Sequence, residues 1–328
     1  MKNLEDSFSR QFRYLRLSVT DRCNFRCTYC LPNGYQAPDK PQASEMSVPE
    51  IRALCKGFNL LGFEKIRLTG GEPTIRRDLL EIVRAVSDLD NVRTVALSTN
   101  GHNLDRLARP LREAGVTSLN ISLDSLDPEK FRAVTGSGRF DSVMKGIDLS
   151  LECGFSSVKV NAVLLRDITD LEIPGFFEWV RERPISVRFI ELMRTGKNVE
   201  LFEKRHLGSG DIQLLLRKRG WTPKERSRLG GPAVEYSHPD YKGSIGLIAP
   251  YSKDFCQSCN RLRVSARGDL RLCLFGEEDY SLRQHLAEPN APELVAAAVR
   301  SVIERKPVSH FLQEGKYGNT WNLASIGG

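Results

Sequence analysis

Between residues 14 and 192 the chain repeats one unit six times: a short apolar run alternating with polar residues, then a segment of helical periodicity. Strand-like runs fall at 14–20, 65–69, 92–97, 118–123, 158–164 and 187–192. Helices are expected at 78–88, 104–114, 140–153 and 171–180, with one more opened by Ser47, Pro49 and Glu50. Strands separated by helical crossovers run parallel, with the helices packed on the sheet. A partial barrel or an open doubly wound sheet would satisfy that pattern. Cys23, Gly71, Thr99, Asn100, Ser122, Asp124, Glu191 and Met193 stand at or just past the C-terminal ends of different strands. An open sheet concentrates such residues at one crevice, whereas a barrel gathers them around a central cavity. The expectation is therefore an α/β fold, an incomplete (β/α)6 barrel over residues 1–229. Past the Gly230-Gly231-Pro232 break a smaller domain, 230–328, is expected to carry hairpin-like strands at 233–236 and 244–248 and a helix at 294–304.

The barrel strands carry charge where a covered sheet has no water. Arg16 and Ser18 share one face of their strand, Lys65 and Arg67 of theirs, Lys159 and Asn161 of a third, each alternating with Val, Leu or Ile. Helices cover the outer face, so cations on the inner face need compensation. A multiply charged anion in the lumen supplies it, and a triphosphate fits the number of charges. The chain contains no Gly-x4-Gly-Lys-Ser/Thr loop, so phosphate binding would rest on side chains.

Six of the eight cysteines fall into two groups of three, Cys23, Cys27, Cys30 and Cys256, Cys259, Cys273. The first packs its thiols into eight residues with spacings of three and two. A structural zinc site asks for four ligands, whereas three thiolates on a [4Fe–4S] cubane leave one iron open. In the second group Cys-x2-Cys with a later cysteine also suits half of a zinc ribbon, with His238 or His285 as a fourth ligand from elsewhere in the fold. Beside it Arg261 and Arg263 point the same way from an extended segment, either as solvated surface or as an anion clamp. Cys55 and Cys153 sit among apolar residues and read as packed small hydrophobes.

The net charge of +7, from 48 basic and 41 acidic residues, favours an anionic partner without the basic runs of a nucleic-acid tail. No stretch approaches the ~18 apolar residues of a membrane span, and no secretory leader is evident. A cytoplasmic protein that binds neither membrane nor nucleic acid is expected.

Cys-x3-Cys-x2-Cys with Tyr29 before its last cysteine resembles the radical S-adenosylmethionine (SAM) enzymes, and Gly70-Gly71-Glu72-Pro73 after a strand matches their cofactor turn. The resemblance implies a first cluster whose open iron is chelated by SAM, with Tyr29, Gly71, Ser122 and Met193 at that cofactor. Over nearly the whole chain the sequence further resembles the GTP 3′,8-cyclases of molybdenum cofactor biosynthesis. Residues 67–73 and 188–193, the Cys-x2-Cys-Asn-Arg-Leu-Arg segment and the terminal Gly327-Gly328 carry that likeness, although Ala324-Ser325 replaces bulkier residues. By resemblance, then, Arg16, Arg67, Ser98, Lys159, Arg261 and Arg263 bind GTP, and a second [4Fe–4S] cluster on Cys256, Cys259 and Cys273 anchors the guanine. It also implies a reductant such as flavodoxin or ferredoxin, a downstream cyclic pyranopterin monophosphate synthase, and compatibility with a homodimer. Rival readings are a radical SAM peptide modifier, for which more C-terminal cysteines are expected, and a non-catalytic zinc or iron–sulfur protein gripping RNA, which leaves the cationic barrel face unexplained.

Overall fold

A computed structural model describes residues 4–37, 43–320 and 323–326. A small ribbon, β1 (Leu4–Glu5) with β2 (Gln11–Phe12), precedes the six expected strands: β3 (Tyr14–Ser18), β4 (Lys65–Thr69), β5 (Thr94–Thr99), β6 (Ser118–Ser122), β7 (Ser157–Leu164) and β8 (Ser186–Glu191). The crossovers contain α1 (Val48–Leu60), α2 (Leu79–Ser87), α3 (Leu104–Ala114), α4 (Pro128–Thr135), α5 (Phe140–Glu152) and α6 (Ile173–Glu182). Then come α7 (Val199–Arg205), α8 (Gly210–Lys218), β9 (Thr222–Pro223), β10 (Val234–Ser237), β11 (Ser244–Ile248), β12 (Arg261–Val264), β13 (Asp269–Arg271), β14 (Tyr280–Ser281) and α9 (Ala291–Val302).

The expected hairpin β10–β11 forms, but its second strand has another partner. β11 pairs parallel with β8, and β12 pairs parallel with β3 at the opposite edge. The six-strand expectation therefore becomes eight parallel strands, β12-β3-β4-β5-β6-β7-β8-β11, inside a twelve-stranded sheet. Among the described residues β11 and β12 do not pair with each other, so the barrel is incomplete and open on one side. Strands from both sides of residue 230 share this sheet, and α9 packs on α1. Gly57 permits that approach, since a Cβ there would lie 2.6 Å from Val295 Cγ1.

Burial follows the alternation. Leu15, Leu17, Ile66, Leu68, Leu97, Leu119 and Val160 are fully buried on the outer face, under the apolar stripes of the helices. The Glu50 carboxylate accepts from the Ser47 N–H at 2.7 Å and the Ser47 hydroxyl at 2.8 Å, starting α1 where expected. β5 starts at Thr94 rather than 92, because Val92 is in a turn, its N–H 3.0 Å from the Leu89 carbonyl. Helices α4 and α7 were not anticipated. Asp127 nevertheless announces α4, since its carboxylate accepts from the N–H groups of Glu129 (2.8 Å) and Lys130 (2.9 Å) ahead of Pro128 in the first turn. Cys55 is core, as expected; Cys153 departs from expectation as a partly exposed residue just past α5.

Two glycines set the distance between the first cysteine loop and the strand ends. Gly71 N–H donates to the Thr20 carbonyl at 2.9 Å and Glu72 N–H to that of Arg22 at 2.8 Å. A Cβ on Gly71 would lie 2.1 Å from the Arg22 carbonyl oxygen, which is backbone and cannot swing aside. Gly71→Ala should therefore cost about 1–3 kcal/mol in denaturant unfolding. Gly138→Ala, where a Cβ meets nothing within 4 Å, should stay within about 0.5 kcal/mol of wild type. Equal effects of the two changes would refute the close-approach argument.

Candidate active site

The inner face of the partial barrel encloses a cavity of about 1000 Å³ whose lining, among the described residues, holds ten cationic and four acidic side chains. Strand register explains why. Arg263, Arg16 and Arg67 occupy adjacent positions on β12, β3 and β4, and one pleat away Arg261, Tyr14 and Lys65 form a second row. Further round, Ser98, Asn120 and Lys159 are neighbours on β5, β6 and β7, and Asn161 stands beside Arg188 on β8. All of them line the cavity. The six anticipated substrate residues are thus brought together. Tyr14, Lys65 and Arg188 join them, although only Lys65 had been singled out, as an inner-face cation. Arg188 shares the inward parity of Ile190, a signal readable in β8, and Gly246 on β11 makes room for it: a Cβ there would lie 2.8 Å from Arg188 Cγ.

Burial lowers the proton affinity of Arg16, Lys65 and Lys159, and neighbouring cations lower it further, against a raising pull of Tyr14 on the first two. Arg16 is brought to about 10, Lys65 to about 8 and Lys159 to about 7, the last helped by Arg188. Two compensations are seen among the described residues. Arg188 pairs with Glu235, and Arg67 Nε donates to the Tyr14 hydroxyl. Burial alone would raise Tyr14, but Arg67, Arg16 and Lys65 outweigh it and hold it well below the usual phenol range. Arg67 Nη1 donates to Ser98 Oγ at 3.1 Å.

Cys256, Cys259 and Cys273 line the same cavity. Their loop is anchored by Arg10, which donates to the carbonyls of Cys256 (3.3 Å), Val308 (3.0 Å) and Pro307 (2.7 Å). Burial pushes the Cys259 thiol up, yet Lys306 and Arg261 prevail and bring it down to about 6, favouring the thiolate. Of the histidines weighed as zinc ligands, His238 packs against Trp221 and Tyr241 and His285 lines a separate surface depression. The histidine in the cavity is His310, which sequence reasoning missed.

Cys23, Cys27 and Cys30 follow β3 as partly buried free thiols. Their loop is tied to the end of α4 by Arg26 N–H to the Thr135 carbonyl and Thr28 N–H to that of Val134, both 2.9 Å. Burial raises Cys23 to about 11 and Cys30 to about 12. Tyr29 donates to Asp124 Oδ2 at 2.8 Å. Ser122 and Met193 line the cavity, whereas Tyr29 and Gly71 lie at the cysteine loop. Glu72, fully buried, accepts from Thr99 Oγ1 at 2.7 Å and Asn100 N–H at 2.6 Å, linking that turn to β5. Residues 323–326 reach both regions. Backbone N–H groups of Leu323 and Ala324 face the Cys30 sulfur, and the Ile326 carbonyl accepts from Arg263 at 3.3 Å. Gly327-Gly328 lies outside the described residues.

Within each triad the thiols lie close enough to shift one another's proton affinity. Among the described residues, however, no three His, Cys, Asp or Glu side chains converge to hold a single ion. A cubane does not require such convergence, because its thiolates bind different irons. Both triads fit such a cluster.

Residues 17–180 match the Radical SAM superfamily model and residues 185–312 the Molybdenum Cofactor Synthesis C model. The chain is 50% identical to the GTP 3′,8-cyclase of Yersinia pestis over 328 residues, all of both chains, and 49% identical to that of Pectobacterium atrosepticum over the same span. Among solved structures it resembles Streptococcus suis SuiB bound to S-adenosylmethionine, with a TM-score of 0.62 at 13% identity over 88% of this chain and 68% of that one. That likeness shows the fold, the radical SAM partial barrel. No helix among the described residues is long and apolar enough to cross a membrane.

The lowered lysines fix a sign for pH dependence. An unfolded lysine keeps its proton to about pH 10, whereas folded Lys159 and Lys65 lose theirs near 7 and 8. Between those values and about 10 the unfolded chain binds more protons, so stability of the ligand-free protein should rise with pH, by at most about 1.4 kcal/mol per pH unit for each lysine. Denaturant unfolding from pH 7 to 9 should show a flatter rise for Lys159→Met than for wild type. Identical slopes would contradict the depression of Lys159.

Proposed function

This chain belongs to the GTP 3′,8-cyclase family of the radical SAM superfamily, and from that premise we propose how its residues divide the work. It is a radical SAM lyase that converts GTP to 3′,8-cyclo-7,8-dihydro-GTP, the first step of molybdenum cofactor biosynthesis, using SAM and an iron–sulfur cluster. When bound, the cluster and SAM would supply the radical chemistry that removes the ribose 3′ hydrogen.

Cys23, Cys27 and Cys30 hold that cluster in our reading, and Gly71, Tyr29, Ser122 and Met193 surround SAM. The in-register row Arg263–Arg16–Arg67, with Arg261, Lys65 and Lys159 around it, carries the assignment of the triphosphate. Guanidinium forks grip phosphate oxygens in pairs, and an anion relieves a repulsion that Tyr14 and Glu235 only partly offset. Ser98 orients Arg67. Cys256, Cys259 and Cys273, in the same cavity, hold a second cluster that anchors the guanine, so one wall fixes the base and the other the phosphates. The ribose between them is held still, as positional catalysis requires. Because cleaving SAM takes one electron, and bringing the cyclised radical to the dihydro product takes a second electron and a proton, our reading includes a flavodoxin or ferredoxin as donor, with cyclic pyranopterin monophosphate synthase taking the product.

Anaerobic incubation with GTP, SAM and reductant should yield 5′-deoxyadenosine and a product isomeric with GTP. SAM cleavage with GTP left intact, in fully loaded protein, would overturn the assignment. Iron analysis should find about eight irons per chain, two cubanes, falling by half in Cys256→Ser. Arg263→Ala and Arg261→Ala should each weaken GTP binding by roughly one to two decades at matched cluster content. Binding within twofold of wild type for both would remove the arginines from the substrate site.

A further inference from the structure

Resting on the reading of the cavity as a triphosphate site, we propose that Arg226, carried on a strap across the open side of the barrel, binds the terminal phosphate of GTP and so discriminates the triphosphate from the diphosphate. The strap is the connection between β9 and β10, residues 224–233. It leaves the sheet at the edge where β9 and β10 pair, yet it is tied down across the cavity, at the starts of β4 and β12. Arg228 pairs through both terminal nitrogens with Glu64, and the Leu229 carbonyl accepts from Lys65 Nζ at 2.9 Å. The Gly230 carbonyl accepts from Asn260 Nδ2 at 3.1 Å. Arg226, Ser227, Gly230 and Gly231 thereby join the cavity lining.

Arg226 is held at this opening by backbone groups. Its Nη2 donates to the Ser258 carbonyl at 2.9 Å and the Gly230 carbonyl at 3.4 Å, which leaves the N–H groups of Nε and Nη1 without an acceptor among the described residues. Its electrostatic neighbours are Arg261 and the Cys259 thiol, with no carboxylate among them. A guanidinium set beside another cation, with donors to spare, is arranged for an anion.

Strand register shows which part of the anion it meets. Arg261, Tyr14 and Lys65 form the row at the strand starts, and Arg263, Arg16 and Arg67 the next row, roughly 7 Å along the strands. That separation is on the scale of a triphosphate rather than of one phosphate. Ser122 and Met193, read above as SAM contacts, stand at the opposite, C-terminal ends of their strands. With the ribose turned toward SAM for loss of its 3′ hydrogen, the phosphate chain runs back past Arg263, Arg16 and Arg67, and its last phosphate reaches the row at the strand starts. Arg226 meets it there, from the side that the strands leave open.

Equilibrium binding of GTP and of GDP to anaerobically loaded full-length protein, at matched cluster content, tests this. Arg226→Gln should lower GTP affinity by roughly one decade and leave GDP affinity within about twofold of wild type. Arg226→Lys, which keeps the charge without the fork, should recover part of the loss. Arg263→Ala is the control on the cavity reading, because it should weaken both nucleotides; wild-type binding of both by that variant would remove the triphosphate site and this inference with it. With the control behaving as expected, an undiminished preference for GTP over GDP in Arg226→Gln, or equal losses for the two nucleotides, would overturn the role of Arg226 alone.

Discussion

Like charges buried within one barrel govern this structure. Arginines in the interior keep their charge and pay heavily in solvation, and among the described residues ten cations share a lining with four acids. The outer faces of β3 to β8 cannot relieve this, because they are sealed by the helices. Relief comes partly from within. Tyr14 gives up proton affinity to three neighbouring cations, Glu235 pairs with Arg188, and Lys65 and Lys159 are pushed toward neutrality. The rest of the imbalance favours an anion in the barrel, and our triphosphate assignment rests on it.

The C-terminal third acts on the same field. By adding β11 to β8 and β12 to β3 it extends the parallel sheet at both edges, carrying Arg263 into register with Arg16 and Arg67 and Arg261 into register with Tyr14 and Lys65. The thiols that follow β11 and β13 are thereby set against the cations. Lys306 and Arg261 lower the Cys259 thiol against its burial, so the field that favours phosphate also favours a thiolate ligand. Residues 323–326 touch Cys30 and Arg263 at once, placing this segment between the two chemical regions.

The first triad depends on a different constraint, close backbone approach. Gly70 and Gly71 let the turn after β4 rest on the carbonyls of Thr20 and Arg22, and Glu72 continues the tie to β5 through Thr99 and Asn100. Helix α4 closes the other side of the loop through Thr135 and Val134. The thiols thus sit on a frame spanning several strand ends, as a group held to narrow tolerances requires.

Much of this was legible in the residues alone. Alternation of period two and period 3.6 determined six parallel strands with covering helices, since a strand's inner and outer faces are decided by neighbours in the chain. The same alternation placed Arg16, Arg67 and Lys159 inward, and cysteine spacing marked both triads. What only the tertiary structure decided involves partners far apart in sequence. Pairing of β12 with β3 aligns Arg263 with Arg16 across 247 positions, and no local pattern encodes that register. Arg188 opposite Glu235, the gap left by Gly246, and the contact of Arg10 with the Cys256 loop are of the same kind. His310 is the clearest case: a histidine at position 310 carries no spacing signal toward Cys256, and it joins the cavity lining by packing against Phe255 and Phe275. Local periodicity determines which face a residue takes; only long-range packing decides which residues share it.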